Sequence, residues 1–193
     1  QFPLFFHSNF FDKAAPDTSI SFVNLYTYKE YEENKKRIDQ AEIYQFNYRV
    51  DSLILDNNKP YDPFTDNIVF EFIRFYVQFA VPRTPEIAAH MATLPPNDPY
   101  FKDSANWMPD PNSEISLLGE FTNVNVAEYY MTSKQIQKVE EKVTEIITEI
   151  AKNRPQFYIV TMYSKVAGQT EPKRKFPLIY AYYDMFLRLK VNI

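Results

Sequence analysis

The chain has 193 residues, a formal net charge of −4 and no cysteine. That length suits one domain, the charge argues against a face that tracks nucleic-acid phosphates, and the missing thiols exclude disulfides, thiolate nucleophiles and cysteine-ligated metals. Hydrophobic residues make up 45%, enough for a core, and they are aromatic in kind, with 17 Phe and 15 Tyr against one Trp and two Gly.

The first eleven residues carry Phe2, Leu4, Phe5, Phe6, Phe10 and Phe11. A terminus this apolar must be tied down, so residues 1–18 are read as an apolar arm that docks on the chain's own sheet or on a neighbour. Ser19 to Tyr28 reads as a strand, with Ile20, Phe22, Tyr26 and Tyr28 in one phase. Lys29 to Gln40 is a charged loop or a short surface helix. Glu42 to Leu55 is the clearest strand, because Tyr44, Phe46, Tyr48, Val50 and Ile54 alternate with Gln45, Asn47, Arg49 and Asp51. Period two means one wet and one buried face, as in an antiparallel sheet. Asp56 to Pro60 turns the chain.

Ile68 to Val81 supports two readings. Its β-branched and aromatic residues favour a strand buried on both faces. Asn67, Glu71, Arg74 and Gln78 instead fall on one helical stripe. The strand reading is preferred, since short apolar runs are ambiguous by periodicity. The run is too short and too polar for a transmembrane segment. Residues 82–116 hold seven of the 14 prolines and read as a long Pro-rich loop, with two helical turns over Ile87 to Leu94 and the single Trp107. Glu114 to Tyr130 gives short strand-like pieces around Gly119.

Thr132 to Lys152 is predicted as one long amphipathic helix. Thr132 and Gln135 make a capping box, Ile136, Val139, Val143, Ile146 and Ile150 form the apolar stripe, and Asn153 and Pro155 end it. Gln156 to Val166 and Leu178 to Val191 close the chain as two further strands. Arg188, Lys190 and Asn192 form the wet face of the last one. The expected fold class is α+β, mainly β: an antiparallel sheet or sandwich in a single domain, 1–193, with the 132–152 helix packed on it.

Candidate chemistry is thin. His7 and His90 are the only histidines, and neither has the flanking residues of a nucleophile–base–carboxylate arrangement. Asp56, Asn58, Asp62 and Asp66 resemble an oxygen-rich cation loop. Pro60 at a ligand position, Tyr61 in place of Gly and Asn67 in place of the closing Glu favour a self-capping turn instead. Glu141, Glu145 and Glu149 share a helical face with Lys138 and Lys142, as a solvated side does. Lys173, Arg174 and Lys175 form a short basic cluster in a hairpin loop, and the isolated Gly119 makes no phosphate loop. The five β-branched helix positions resemble a coiled-coil seam, but two heptads fall short of one.

No enzyme, cofactor or metal is expected. The favoured reading is a structural or adaptor subunit of a larger assembly. Its partners would be other protein subunits, a homo-oligomer among the options, with no nucleic acid and no transmembrane segment. Partner contacts fall to Phe2, Phe5, Phe6, Phe10, Phe11 and Trp107. The alternative is an extracytoplasmic β-sandwich module that holds a small molecule or glycan with Trp107 and nearby tyrosines. A carboxylate hydrolase ranks third. Gln1 in place of Met fits removal of a signal, a pro-segment or a polyprotein neighbour, or a cloning boundary. With the absent cysteines, it leans towards a virion or extracytoplasmic setting.

Overall fold

A computed structural model describes residues 2–8, 11–12, 15–55, 58–95, 98–136, 141–164 and 178–192, and their side chains except those of 2–8, 11–12, 15–17 and 141. In chain order the elements are β1 (Phe2–Ser8), β2 (Phe11–Asp12), β3 (Ala15–Asn24), α1 (Lys29–Asn34), β4 (Ile38–Ile54), β5 (Val69–Pro82), α2 (Pro85–Met91), β6 (Trp107–Pro109), β7 (Ser116–Asn125), α3 (Val126–Tyr129), β8 (Lys134–Gln135), α4 (Glu141–Asn153), β9 (Gln156–Tyr163) and β10 (Leu178–Val191). The fold is mostly β. One antiparallel sheet runs β1-β10-β4-β8, and the other runs β2-β3-β9-β5-β6 with β7 also on β5.

The two sheets face each other across one aromatic core. Phe46, Tyr48 and Tyr183 from the first sheet meet Phe75 from the second at ring separations of 5.1, 5.2 and 6.0 Å. Burying aromatic rings of this size is the main favourable term, at roughly 2–3 kcal/mol each. Ile68 to Val81 is a strand as expected, but it is not buried on both faces: Phe70, Ile73, Phe75, Val77 and Ala80 are buried, while Phe72, Arg74, Tyr76 and Gln78 are half-buried and Glu71 is exposed. Its polar stripe serves the sheet, as Arg74 forms an ion pair with Glu120 on the neighbouring β7 at 2.8 Å.

In β4 the simple alternation fails for a physical reason. Three register shifts against β10 leave Asp39, Tyr44 and Asp51 as extra residues. Each extra residue moves the chain to the other face. The buried apolar set is therefore Ile38, Ala41, Ile43, Phe46, Tyr48, Val50 and Leu53, spaced 3-2-3-2-2-3. Tyr44 and Ile54, expected in phase with Phe46, are respectively exposed and half-buried. Among the described side chains of β3 the buried ones are Ser19, Ser21, Val23 and Asn24, while Ile20 is 48% exposed. Phe22 lies on the other face of that sheet, stacked on Trp107 at 6.2 Å.

That second face is why residues 82–116 are more ordered than a loop. Thr84 caps α2 by accepting from Ile87 N–H. Two 3-10 turns, Pro99–Lys102 and Ser104–Asn106, follow, and β6 pairs with the end of β5. Met91, Trp107, Tyr100 and Phe101 pack on Phe22, Tyr76, Ala80, Tyr158, Val160 and Met162. The excursion thus roofs the outer face of the second sheet, and β9 is buried on both faces.

The 132–152 helix is shorter than expected. Lys134 and Gln135 are extended and pair with Tyr48 and Asn47 of β4, so the Thr132–Gln135 capping box does not form. The Ile136 N–H donates to the Phe46 carbonyl at 2.9 Å. An unpaired edge of β4 takes these residues as a strand, and a backbone ladder outweighs a helix-capping preference. The helix proper spans 13 residues, Glu141–Asn153. It buries Val143, Ile147, Ile150 and Ala151, with Ile146 half-buried, whereas Val139 falls outside the described residues. Thr148 takes over where β8 stops. Its hydroxyl accepts from the Ala41 N–H and donates to the Ala41 carbonyl, both at 3.0 Å. Ile136 also seals the sheets. A Cβ on Gly119 would lie 2.6 Å from Ile136 Cγ2, so only glycine admits this approach.

The N-terminal arm joins the chain's own sheet through its backbone. β1 pairs antiparallel with β10, setting positions 2, 4 and 6 opposite the core residues Leu187, Met185 and Tyr183, and position 5 opposite Asp184. β2 then pairs with β3 of the other sheet.

Candidate functional site

Burial sets the chemistry of the core tyrosines. Tyr48, Tyr163 and Tyr183 bring their phenols into the inter-sheet core. The Tyr48 and Tyr163 hydroxyls lie 3.1 Å apart, and the Tyr183 hydroxyl lies 2.7 Å from Thr161 Oγ1. Burial, then the neighbouring phenols, push the Tyr48 and Tyr163 hydroxyls well above the usual tyrosine range. They stay neutral and satisfy one another, which stabilises a polar network inside an apolar core. Tyr31 is similar in kind. It donates to the Ala151 carbonyl at 2.9 Å, and burial raises its pKa.

The described candidates from the sequence resolve into surface or turn roles. His90 is exposed on α2, with its ring edge-on to Tyr100 at 4.7 Å. Asp62 accepts from the Phe64 N–H, and Asp66 accepts from the Asp62 N–H and from Lys59 Nζ. Those bonds make a self-capping turn, and Lys59 holds the Asp66 carboxyl below its ordinary range. Glu145 and Glu149 are exposed, and Glu149 accepts from Asn153. Among the described residues no group of three acidic or imidazole side chains is placed to hold a metal. Asp56, Lys138 and the Lys173–Lys175 cluster lie outside the described residues, as do the side chains of His7 and Glu141.

Of the partner-contact residues expected from sequence, Trp107 is 6% exposed, and its Nε1 donates to the Phe101 carbonyl at 3.1 Å. It anchors the roof over the second sheet. Phe2, Phe5 and Phe6 are register positions of β1, Phe11 lies in β2, and Phe10 is outside the described residues.

Of the seven exposed large apolar side chains among the described residues, four lie elsewhere, the others being Ile20, Tyr44 and Ile115. Phe64 is 96% exposed, Met131 63%, Leu178 47% and Tyr180 39%. All four sit on segments tied to the last five residues of β4. Tyr180 and Leu178 pair with Ser52 and Ile54. The Met131 N–H donates to the Val50 carbonyl at 2.7 Å, and Phe64 tops the turn that starts where the Tyr61 N–H donates to the Leu53 carbonyl at 2.9 Å. The Tyr61 and Tyr130 rings meet at 5.4 Å and lock the turn to the β7–β8 link. Met131 is held at φ 55°, a left-handed conformation that costs a non-glycine residue about 1–2 kcal/mol.

Sequence patterning missed these four. One signal was available: Phe64 sits inside Asp62-Pro63-Phe64-Thr65-Asp66, where turn residues flank a ring with no strand or helix to bury it.

Compared with known proteins, the chain matches no family model and no curated protein. No helix among the described residues is long and apolar enough to cross a membrane.

Proposed function

We propose that this protein is a non-enzymatic structural or adaptor subunit of a larger protein assembly, such as a virion, a cell-envelope complex or an organelle complex. The observation that carries the reading is that Phe64, Met131, Leu178 and Tyr180 are each exposed on segments whose backbones are tied to the end of β4. Isolated apolar residues on a surface are ordinary, but several at one end of a sheet are what an interface core needs. The left-handed Met131 adds to it, since backbone strain gathers where a side chain must be presented.

A second reading, a β-sandwich module for a small molecule or glycan, has one observation in its favour. On the outward face of the first sheet Gln45 donates to Asn47, and Asn47 donates to Asp184 Oδ2 at 3.2 Å. Among the described residues no hydrogen-bond donor reaches the buried Asp184 Oδ1. A polar ligand or a water would supply one.

Native mass measurement separates the two. A stable oligomer or stoichiometric complex supports the assembly reading, and a monomer carrying a small molecule supports the other. Met131→Asn combined with Phe64→Ser sharpens the test. Asn tolerates the left-handed conformation, so stability should hold or rise by up to about 1 kcal/mol while association weakens. Association that persists unchanged in this variant would sink the reading at this surface.

A further inference from the structure

We infer that the turn at 60–66 is a hinged flap, clasped through Tyr61 and Tyr130 to the link ahead of β8 and poised to swing open while the rest of the chain stays folded. The inference adds a moving part to the surface at the end of β4 and does not depend on what docks there.

Two unrelated costs meet at this one contact. The first is a polar atom without a partner. Tyr61 is 5% exposed, and no hydrogen-bond partner among the described residues reaches its buried hydroxyl. The hydroxyls of Tyr31, Tyr48 and Tyr183 each have one. In the closed form the Tyr61 hydroxyl has lost water and gained nothing in return, and opening lets water back. The second cost is backbone strain. Three described non-glycine residues have a positive φ: Asn58, Asn123 and Met131. Asparagine tolerates the left-handed region and methionine does not. Met131 directly follows Tyr130, whose ring meets that of Tyr61 edge-on at 5.4 Å. Both costs fall on the closed form and are relieved when the two segments part.

The turn is built to move as one body. Asp62 accepts from the Phe64 N–H, and Asp66 accepts from the Asp62 N–H and from Lys59 Nζ. The Thr65 and Asp66 N–H groups donate to the Asp62 carbonyl. These bonds lie within 59–66 and survive the swing. Phe64, 96% exposed, has no packing to lose. What breaks is the Tyr61 N–H bond to the Leu53 carbonyl at 2.9 Å, and on the facing segment the Met131 N–H bond to the Val50 carbonyl at 2.7 Å. The open form presents the Tyr61 and Tyr130 rings on the same segments as Phe64 and Met131.

Residue-resolved amide exchange on dilute protein tests this. The Tyr61 and Met131 N–H groups should share one protection factor, about tenfold or more below that of β9, which is buried on both faces. Tyr61→Phe deletes the unpartnered hydroxyl and keeps the ring, and Met131→Asn relieves the strain. Each variant is read at the facing segment, at the Met131 amide in the first and the Tyr61 amide in the second. Protection there should rise about fivefold or more. A hydroxyl that stabilised the closed form would give the opposite sign. The inference is overturned by Tyr61 and Met131 amides that exchange no faster than β9, by protection that falls in Tyr61→Phe, or by a variant effect confined to the substituted segment. A monomer in the native mass measurement removes the assembly reading alone, because the exchange pattern needs no partner.

Discussion

At the scale of single residues, the tyrosines hold the most readable physics. Tyr48 and Tyr163 are buried, hydrogen-bonded to each other, and raised well above the usual tyrosine pKa by desolvation. Below the unfolded value of about 10, both folded and unfolded states keep the proton and stability does not depend on these groups. Above it the unfolded chain releases protons that the folded chain retains. Stability therefore falls as pH rises, by about 1.4 kcal/mol per pH unit for each such tyrosine. Alkaline titration of the folded protein should show a cooperative unfolding transition. Tyr48→Phe should make its pH dependence shallower while costing about 1 kcal/mol at neutral pH for the lost Tyr48–Tyr163 hydrogen bond, since Tyr163 also bonds with Tyr183. An unchanged slope would show that Tyr48 ionises in the folded state. That tyrosines would be abundant in the core followed from composition. Which hydroxyls meet did not, because Tyr48, Tyr163 and Tyr183 come from three strands brought together only by the sheet pairing.

At the scale of elements, the contrast lies between patterns that local sequence decides and those that a neighbour decides. β10 appears as read, from Leu178 to Val191, since its alternation and wet end are both local. The 82–116 stretch looked like an irregular loop because its prolines and Asx residues punctuate every turn. It is ordered by packing on a sheet face that no local pattern reveals. Trp107→Ala should therefore act as a core truncation, costing about 3–5 kcal/mol in denaturant unfolding, with association at the end of β4 unaltered in the folded fraction. Weakened association at unchanged stability would return Trp107 to an interface. Residues 134–136 make the same point from the other side. Their helical stripe is real in sequence, but the open edge of β4 offered backbone partners and the strand won.

At the scale of the whole molecule, the N-terminal arm is the element whose role was left open between core and interface. Its β1 backbone pairs along seven residues of β10. Deleting Gln1 to Phe11 would leave that run of β10 without its ladder and remove an outer strand from the first sheet. The shortened chain should unfold or aggregate. A dilute monomer with the melting temperature of the full chain would mean that the pairing contributes nothing to folding. Sequence by itself determined the antiparallel, mostly β character, the strand at 68–81, the last strand and the absence of thiol chemistry. Each of these depends on composition or on a period that neighbouring residues set among themselves. Tertiary structure alone decided the phase of β4, the length of α4, the roof formed by 82–116 and the apolar end with Phe64 and Met131. In each of these a backbone edge, a bulge or a sheet face distant in sequence supplied the competing interaction, and side-chain periodicity carries no record of such partners.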